Sequence, residues 1–197
     1  MVSLTRELLR EFSPDEILEY AISLGFQHIL FERVTLDGNA KGNPEVMPDN
    51  LQLDSWMLEM YRVTEIKGYK SRINNMLLSE IEEAYYARSF IGNRCRACEQ
   101  KLITINADGT ISGCPNSAST AHWGKIDQDV SAFIKSPGRL KAICSEKLRN
   151  ENCFKCEVKD ICNGDCYKLP WQGDVCAAPK SLLKYLSGKN RHEELAR

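Results

Sequence analysis

The chain has 197 residues, of which 43% are hydrophobic and 27% are charged, and its formal net charge is −1 with a pI near 6.3. This charge balance excludes the strongly basic surface that marks most nucleic-acid-binding proteins, and no apolar run approaches the ~20 residues that span a membrane. The N-terminus has no apolar signal core and carries acidic residues early, so we expect a cytoplasmic protein.

The first 90 residues have the pattern of an α/β protein. Ser13-Pro14-Asp15-Glu16 combines a cap, a proline at the first helical position and a glutamate three residues after the cap, which predicts a helix ending near Gly25. Residues 28–34 predict a strand that is apolar on both faces, as in parallel sheets covered by helices. Helical spacing predicts a second helix around Trp56 and a third from Ile73 to Tyr85.

One strand alone leaves backbone groups unpaired on both of its edges. We therefore expect this half to be incomplete and to pair with another chain or with a missing N-terminal portion of its own. Glu32 and Arg33 interrupt the apolar strand, where a barrel strand would face an active cavity. Two interpretations are open: contact with a substrate or cofactor, or an ordinary ion pair at the strand end, which we favour.

The composition changes near Ile91. Residues 102–112 predict a β-hairpin with Asp108-Gly109 in its turn. Ser136-Pro137 predicts the start of a short helix, and a basic tail carries a further helical pattern from Leu182 to Leu186. The sequence thus predicts an α+β fold in three segments: an α/β segment at 1–90, a cysteine-rich domain with a hairpin and short helices at 91–180, and a helical tail at 181–197.

All nine cysteines lie between Cys95 and Cys176. Because thiols stay reduced in a cytoplasmic chain, this density indicates metal ligation rather than disulfides. The cysteines form two groups with these spacings: Cys95-x₂-Cys98 followed by Cys114, and Cys153-x₂-Cys156-x₅-Cys162-x₃-Cys166 followed by Cys176. Thiolates suit iron–sulfur clusters, each of which takes four, and they also suit structural zinc sites, which is the alternative.

Cys144 and His122 are not assigned to either group of cysteines. Cys144 is left over, and its helical spacing from Leu140 and Leu148 predicts that it packs in the core. His122 follows Cys114 by eight residues, so it could ligate or hydrogen-bond a cluster, but a loop or surface histidine is the favoured interpretation.

The string Cys98-x₁₀-Gly109-x₄-Cys114, then Cys153 to Cys166, then Cys176, resembles the SPASM domain of radical SAM enzymes over residues 95–180. The segment before it resembles the last α/β units of a radical SAM partial barrel. The resemblance implies two auxiliary [4Fe–4S] clusters with these ligands: Cys95, Cys98, Cys114 and Cys166 for cluster one, and Cys153, Cys156, Cys162 and Cys176 for cluster two. Of these, Cys95 lies outside the family's seven-cysteine motif.

Radical SAM enzymes hold their catalytic cluster through Cys-x₃-Cys-x₂-Cys, and no such spacing occurs in this sequence. The resemblance therefore implies the auxiliary-cluster half of a radical SAM system, in which a partner chain or a missing N-terminal half supplies the cluster that binds SAM. The implied role is electron relay and support of the substrate cavity, with a peptide or protein as substrate. A stand-alone electron carrier or interaction module and a zinc-stabilised adaptor are the alternatives.

Overall fold

The computed structural model describes residues 1–86, 102–115, 122–146, 150–162 and 164–195. Its N-terminal part alternates short strands with helices. In chain order these are β1 (Val2–Leu4), α1 (Arg6–Glu11), α2 (Pro14–Ser23), β2 (His28–Ile29), β3 (Phe31–Arg33), α3 (Asn50–Ile66), β4 (Asn74–Asn75) and α4 (Met76–Tyr86). Three single turns of 3₁₀-helix lie in the connections: Gly38–Lys41, Pro44–Val46 and Tyr69–Ser71.

The strands of this part are parallel. β1 pairs with β3, and β2 pairs with β4. Because only Leu30 separates β2 from β3, β1 and β4 pair with successive parts of one extended segment. The prediction of a single strand in this half is therefore wrong, since β1 and β4 each pair with one part of this segment. That this half pairs with another chain or with a further N-terminal portion stays a prediction.

The predicted first helix is confirmed. Ser13 accepts a hydrogen bond from the Glu16 N–H, and the Glu16 carboxylate accepts one from the Ser13 N–H at 2.8 Å. This reciprocal cap starts α2 at Pro14. The chain leaves α2 through Gly25, whose φ of +79° is a conformation that favours glycine.

The C-terminal part combines a small antiparallel sheet with short helices. Its elements are β5 (Thr104–Ile105), β6 (Thr110–Ser112), β7 (Gly124–Lys125), α5 (Val130–Ile134), α6 (Pro137–Glu146), a 3₁₀ turn (Glu151–Lys155), α7 (Lys159–Cys162) and α8 (Lys180–Leu195). The strand order is β5-β6-β7. The predicted hairpin is confirmed, with Gly109 at φ +78° in its turn, and the mixed helix and strand content agrees with the predicted fold class.

The main hydrophobic core joins the two ends of the chain. Leu4, Phe31 and Met57 share it with Val158, Leu169 and three leucines of α8 (Leu182, Leu183 and Leu186). α8 packs against α3, with the Tyr185 and Tyr61 rings 5.9 Å apart. The basic tail is thus a helix that buries Leu182, Leu183 and Leu186 in this core. The predicted segments 1–90, 91–180 and 181–197 stay a prediction. In the described part of the chain, no helix is long and apolar enough to cross a bilayer.

A second, smaller cluster holds the hairpin region, where Ile111, Trp123 and Phe133 pack together. In the neighbouring α6, Ala142 is buried while Leu140 and Cys144 are exposed. The prediction that Cys144 packs in the core is therefore wrong. The physical reason is a close approach at Gly138, where an added Cβ would lie 2.2 Å from the His122 carbonyl oxygen, so the Gly138 and Ala142 face of α6 turns inward.

Candidate metal centre

Cys153 and Cys156 lie in one tight turn. Asn150 caps the 3₁₀ turn by accepting a hydrogen bond from the Asn152 N–H at 2.9 Å, and the Cys156 N–H donates to the Cys153 carbonyl oxygen at 3.3 Å. The backbone geometry of this C-x-x-C segment is therefore fixed by local hydrogen bonds. Val158 follows and is buried in the main core, which anchors the turn to the rest of the molecule.

Cys162 and Cys166 flank a left-handed turn. Cys162 ends α7, and the Asp165 N–H donates to its carbonyl oxygen at 3.1 Å. Gly164 and Asp165 both have positive φ, at 84° and 51°. For an aspartate this conformation is uncommon, and the Asp165 carboxylate accepts the Cys166 N–H at 2.7 Å, which holds the cysteine against the turn.

Cys176 follows a short loop that is fastened to the start of α3. The loop closes on itself through reciprocal hydrogen bonds between Gln172 and Val175. The side chain of Asn50 donates to the carbonyl oxygens of Pro170 and Val175 at 3.0 and 2.9 Å, while its N–H donates to the Gln172 side chain at 2.7 Å. Asn50 is 2% exposed, so the first turn of α3 carries the loop that leads to Cys176.

Replacing Asn50 by alanine should destabilise the protein by about 2 kcal/mol, because a buried side chain loses its hydrogen bonds to the Pro170 and Val175 carbonyl oxygens. Chemical denaturation followed by circular dichroism measures this change. Asn43→Ala is a matched control, since the Asn43 side chain also donates to a carbonyl oxygen, that of Asn39, but is exposed. An equal loss of stability in both variants would contradict this role for Asn50.

These turns bring five thiols to one cavity. Its volume is about 260 Å³, well above the ~10–15 Å³ that one water needs. The cysteines in its lining are Cys153, Cys156, Cys162, Cys166 and Cys176. Among the residues described, no three Cys, His, Asp or Glu side chains meet closely enough to hold a single ion. All five cysteines thus contribute to the wall of a single cavity.

A buried ion pair forms part of the same wall. Asp165 lines the cavity and binds Arg33 of β3 through both carboxylate oxygens, and the two side chains are only 4% and 7% exposed. Arg33 also donates to the carbonyl oxygen of Ala177 at 3.2 Å. Since Asp165 precedes Cys166 and Ala177 follows Cys176, one guanidinium group braces two cysteine-bearing segments.

This result refines the interpretation of the strand end. Arg33 does form an ion pair, but its partner lies 132 positions away, at the cysteine cavity. Glu32 is exposed and does not line this cavity. Asp165 was not predicted as a site residue, and its one local signal is that it lies between two cysteines of the motif, Cys162 and Cys166.

The thiols of the cavity are held in a poorly solvated environment. Burial, and then the negative charge of Asp165, raises the pKa of Cys162 to about 12. Burial also raises the pKa of Cys176, and the nearby Asp165, Cys156 and Cys153 add to this increase. Without a metal these thiols therefore stay protonated at neutral pH, and metals that bind them as thiolates must displace protons.

Of the four ligands predicted for cluster one, the described residues include only Cys114 and Cys166. Cys114 is buried just after β6, next to Ser112 and Gly113, and does not line the five-cysteine cavity. Cys95 and Cys98 lie outside the described residues. The structure thus brings together all four predicted ligands of cluster two and places Cys166, predicted for cluster one, at the same wall. His122 lies in the loop before β7 and is half-buried, with its Nδ1 atom in the interior.

The mixed helix and strand fold is shared with proteins of known structure. Solved structures of native anSMEcpe with bound AdoMet share it, with a TM-score of 0.71 at 13% sequence identity. A complex of the same protein with AdoMet and a Kp18Cys peptide gives the same TM-score and identity. The match covers 98% of this chain but only 56% of that chain, so this chain spans little more than half of its structural neighbour. No protein-family model and no curated protein matches the sequence.

Proposed function

We propose that this chain is the auxiliary-cluster half of a radical SAM enzyme system. The observation that carries the proposal is the cavity lined by five cysteines, in a fold shared over 98% of the chain with an enzyme crystallised with AdoMet. When bound there, an iron–sulfur cluster supplies one-electron redox chemistry. Cys153, Cys156, Cys162 and Cys176 would hold cluster two. Cys95, Cys98 and Cys114, with Cys166 crossing over from the second motif, would hold cluster one.

The donor set and the cavity fit such a group. Thiolates are the ligands that iron–sulfur clusters take in proteins, four to a [4Fe–4S] cluster. The cavity volume of about 260 Å³ leaves room for the inorganic atoms of such a group. Arg33 braces the segments that carry Cys166 and Cys176 through its contacts with Asp165 and Ala177, so these two thiols are held in place at the cavity wall.

The SAM-binding cluster would come from elsewhere. Cys-x₃-Cys-x₂-Cys is missing from the sequence, and every predicted ligand is needed to close the two auxiliary sites. A partner chain, or a further N-terminal segment, would therefore supply SAM binding. A peptide or protein substrate is the class we propose, because the neighbour was solved with a bound Kp18Cys peptide and the chain shares its fold.

Anaerobic purification with metal and sulfide analysis tests this proposal. We expect about eight irons and eight sulfides per chain, since two [4Fe–4S] clusters take four of each, and an EPR signal after reduction. Co-purification from the native host should yield a partner that bears Cys-x₃-Cys-x₂-Cys. Stoichiometric zinc without iron or sulfide would overturn the proposal and favour the zinc-stabilised adaptor.

A further inference from the structure

Two lysines share one glutamate at the rim of the five-cysteine cavity. The Glu157 carboxylate binds the ammonium groups of Lys180 at 3.3 Å and of Lys184 at 2.5 Å. Glu157 directly follows Cys156 in the sequence, and Lys180 itself lines the cavity. Because one carboxylate balances only one ammonium group, these three side chains together carry a net positive charge. We call Glu157, Lys180 and Lys184 the rim triad.

The fold holds the rim triad in this position. Lys180 and Lys184 are four residues apart on α8, so they lie on one face of the helix. The start of α8 is fixed to α3, because Asp54 accepts hydrogen bonds from the N–H and the hydroxyl of Ser181 at 2.8 and 2.6 Å. The two ammonium groups therefore reach Glu157 from a helix whose position relative to the cavity is set by α3.

The other charges of the cavity lining balance one another. Asp165 is paired with Arg33. The remaining charged residues of the lining, apart from Lys180, are two aspartates and two lysines: Asp54, Asp174, Lys155 and Lys159. Among the residues that the structure describes, the rim triad therefore leaves the cavity with an excess of positive charge.

The charge of Lys180 acts on two of the proposed ligands. Burial alone would lower the pKa of Lys180, but the hydrogen bond to Glu157 and the negative charges of Cys156 and Cys176 as thiolates raise this pKa overall. Hydrogen bonds from Lys184, and then from Lys180, hold the pKa of Glu157 below its usual range. Lys180 and Glu157 are therefore both charged at neutral pH, beside thiols that become negative when they bind a metal.

A positive charge at this place affects the redox chemistry of a bound cluster. A [4Fe–4S] cluster with four thiolate ligands has a net negative charge, and reduction adds one electron to it. A nearby ammonium group attracts the reduced state more strongly than the oxidised state, because the attraction grows with the charge. The reduction potential of the cluster is therefore higher with the ammonium group than without it.

We infer that the rim triad raises the reduction potential of cluster two, with the Lys180 ammonium group as the charge that acts on it. The inference rests on the proposed function, because it takes cluster two to occupy the five-cysteine cavity. All four proposed ligands of that cluster lie in the described residues and line this cavity with Lys180. The rim triad thus makes cluster two a better electron acceptor.

Lys180→Gln and Glu157→Gln test the inference, because they change the charge of the rim triad in opposite directions. Redox titration with dithionite, monitored by EPR on the anaerobically loaded full chain, measures the potential. The EPR signal that Cys153→Ala loses identifies cluster two. We expect a more negative potential in Lys180→Gln and a more positive potential in Glu157→Gln. Both shifts should become smaller at high salt, since the Lys180 and Glu157 side chains are 40% and 55% exposed.

Two further variants serve as controls. Lys67 also binds two carboxylates, those of Asp15 and Glu19, but it does not line the cavity. Lys67→Gln should therefore leave the potential of cluster two unchanged, although it removes the same charge. Lys180→Arg keeps the positive charge and should keep a potential close to that of the unmodified chain.

The two glutamine variants also distinguish the inference from a purely structural role of the rim triad, which would not give shifts of opposite sign. Loaded variants whose potentials do not shift, or shift in the same direction, would overturn the inference and leave the proposed function standing. A chain that binds no iron would overturn both. If Lys180→Gln does not take up a cluster, the sign of the shift in Glu157→Gln decides the matter.

Discussion

Arg33→Met should lower the free energy of unfolding by about 3–5 kcal/mol, because it leaves the buried Asp165 carboxylate without its ion-pair partner. The variant should also bind less iron, since Arg33 braces the segments that carry Cys166 and Cys176. Urea denaturation followed by circular dichroism measures the first effect, and iron analysis of the anaerobically purified chain measures the second.

The controls for this substitution separate charge from packing. Arg10→Met makes the same change in an exposed pair with Glu11 and should have little effect, because surface ion pairs contribute little to stability. Arg33→Met combined with Asp165→Asn should recover part of the lost stability, since no buried charge then remains unpaired. A double variant no more stable than Arg33→Met would show that the guanidinium acts mainly through its contact with Ala177.

Cys153→Ala should cost about half of the bound iron, because loss of one ligand opens a cluster that needs four. The remaining cluster should keep its EPR signal. Cys144→Ala is the matched control, since Cys144 is exposed and does not line the cavity, and its iron content should equal that of the unmodified chain.

Cys166→Ala then tests the crossing of ligands between the two motifs. Cys166 lines the cavity with the four proposed ligands of cluster two, yet the proposal gives its thiolate to cluster one. We therefore expect Cys166→Ala to remove cluster one and to change the EPR spectrum of cluster two through the shared wall. Equal iron loss in Cys166→Ala and Cys144→Ala would contradict the ligand assignment.

Local chemistry made part of this molecule predictable. The cap at Ser13 and Glu16 and the Asp108-Gly109 turn act over three or four residues, so their signals are complete in a short stretch of sequence. The cysteine spacing of the second motif likewise contains two short turns that direct neighbouring thiols to one place. The convergence of Cys153, Cys156 and Cys162 could therefore be expected without knowledge of the fold.

Other features depend on contacts that no short stretch of sequence contains. β1 and β4 have only three and two residues, too few to show a strand periodicity. Arg33 and Asp165 belong to different halves, and either alone is typical of a surface residue. The orientation of α6, which exposes Cys144, is set by Gly138 against a loop, whereas the apolar spacing within the helix indicated the opposite face.

α3 and α8 together support the cysteine cavity. The segment from Pro170 to Cys176 is fastened to α3 by Asn50, and Asp54 of α3 accepts hydrogen bonds from both the N–H and the hydroxyl of Ser181 at the start of α8. During synthesis, Leu182, Leu183 and Leu186 leave the ribosome after all of the cysteines. These leucines belong to the core that supports the cavity. Under the proposed function, a cluster would therefore meet its completed cavity only after the leucines of α8 have been synthesised and have packed into the core.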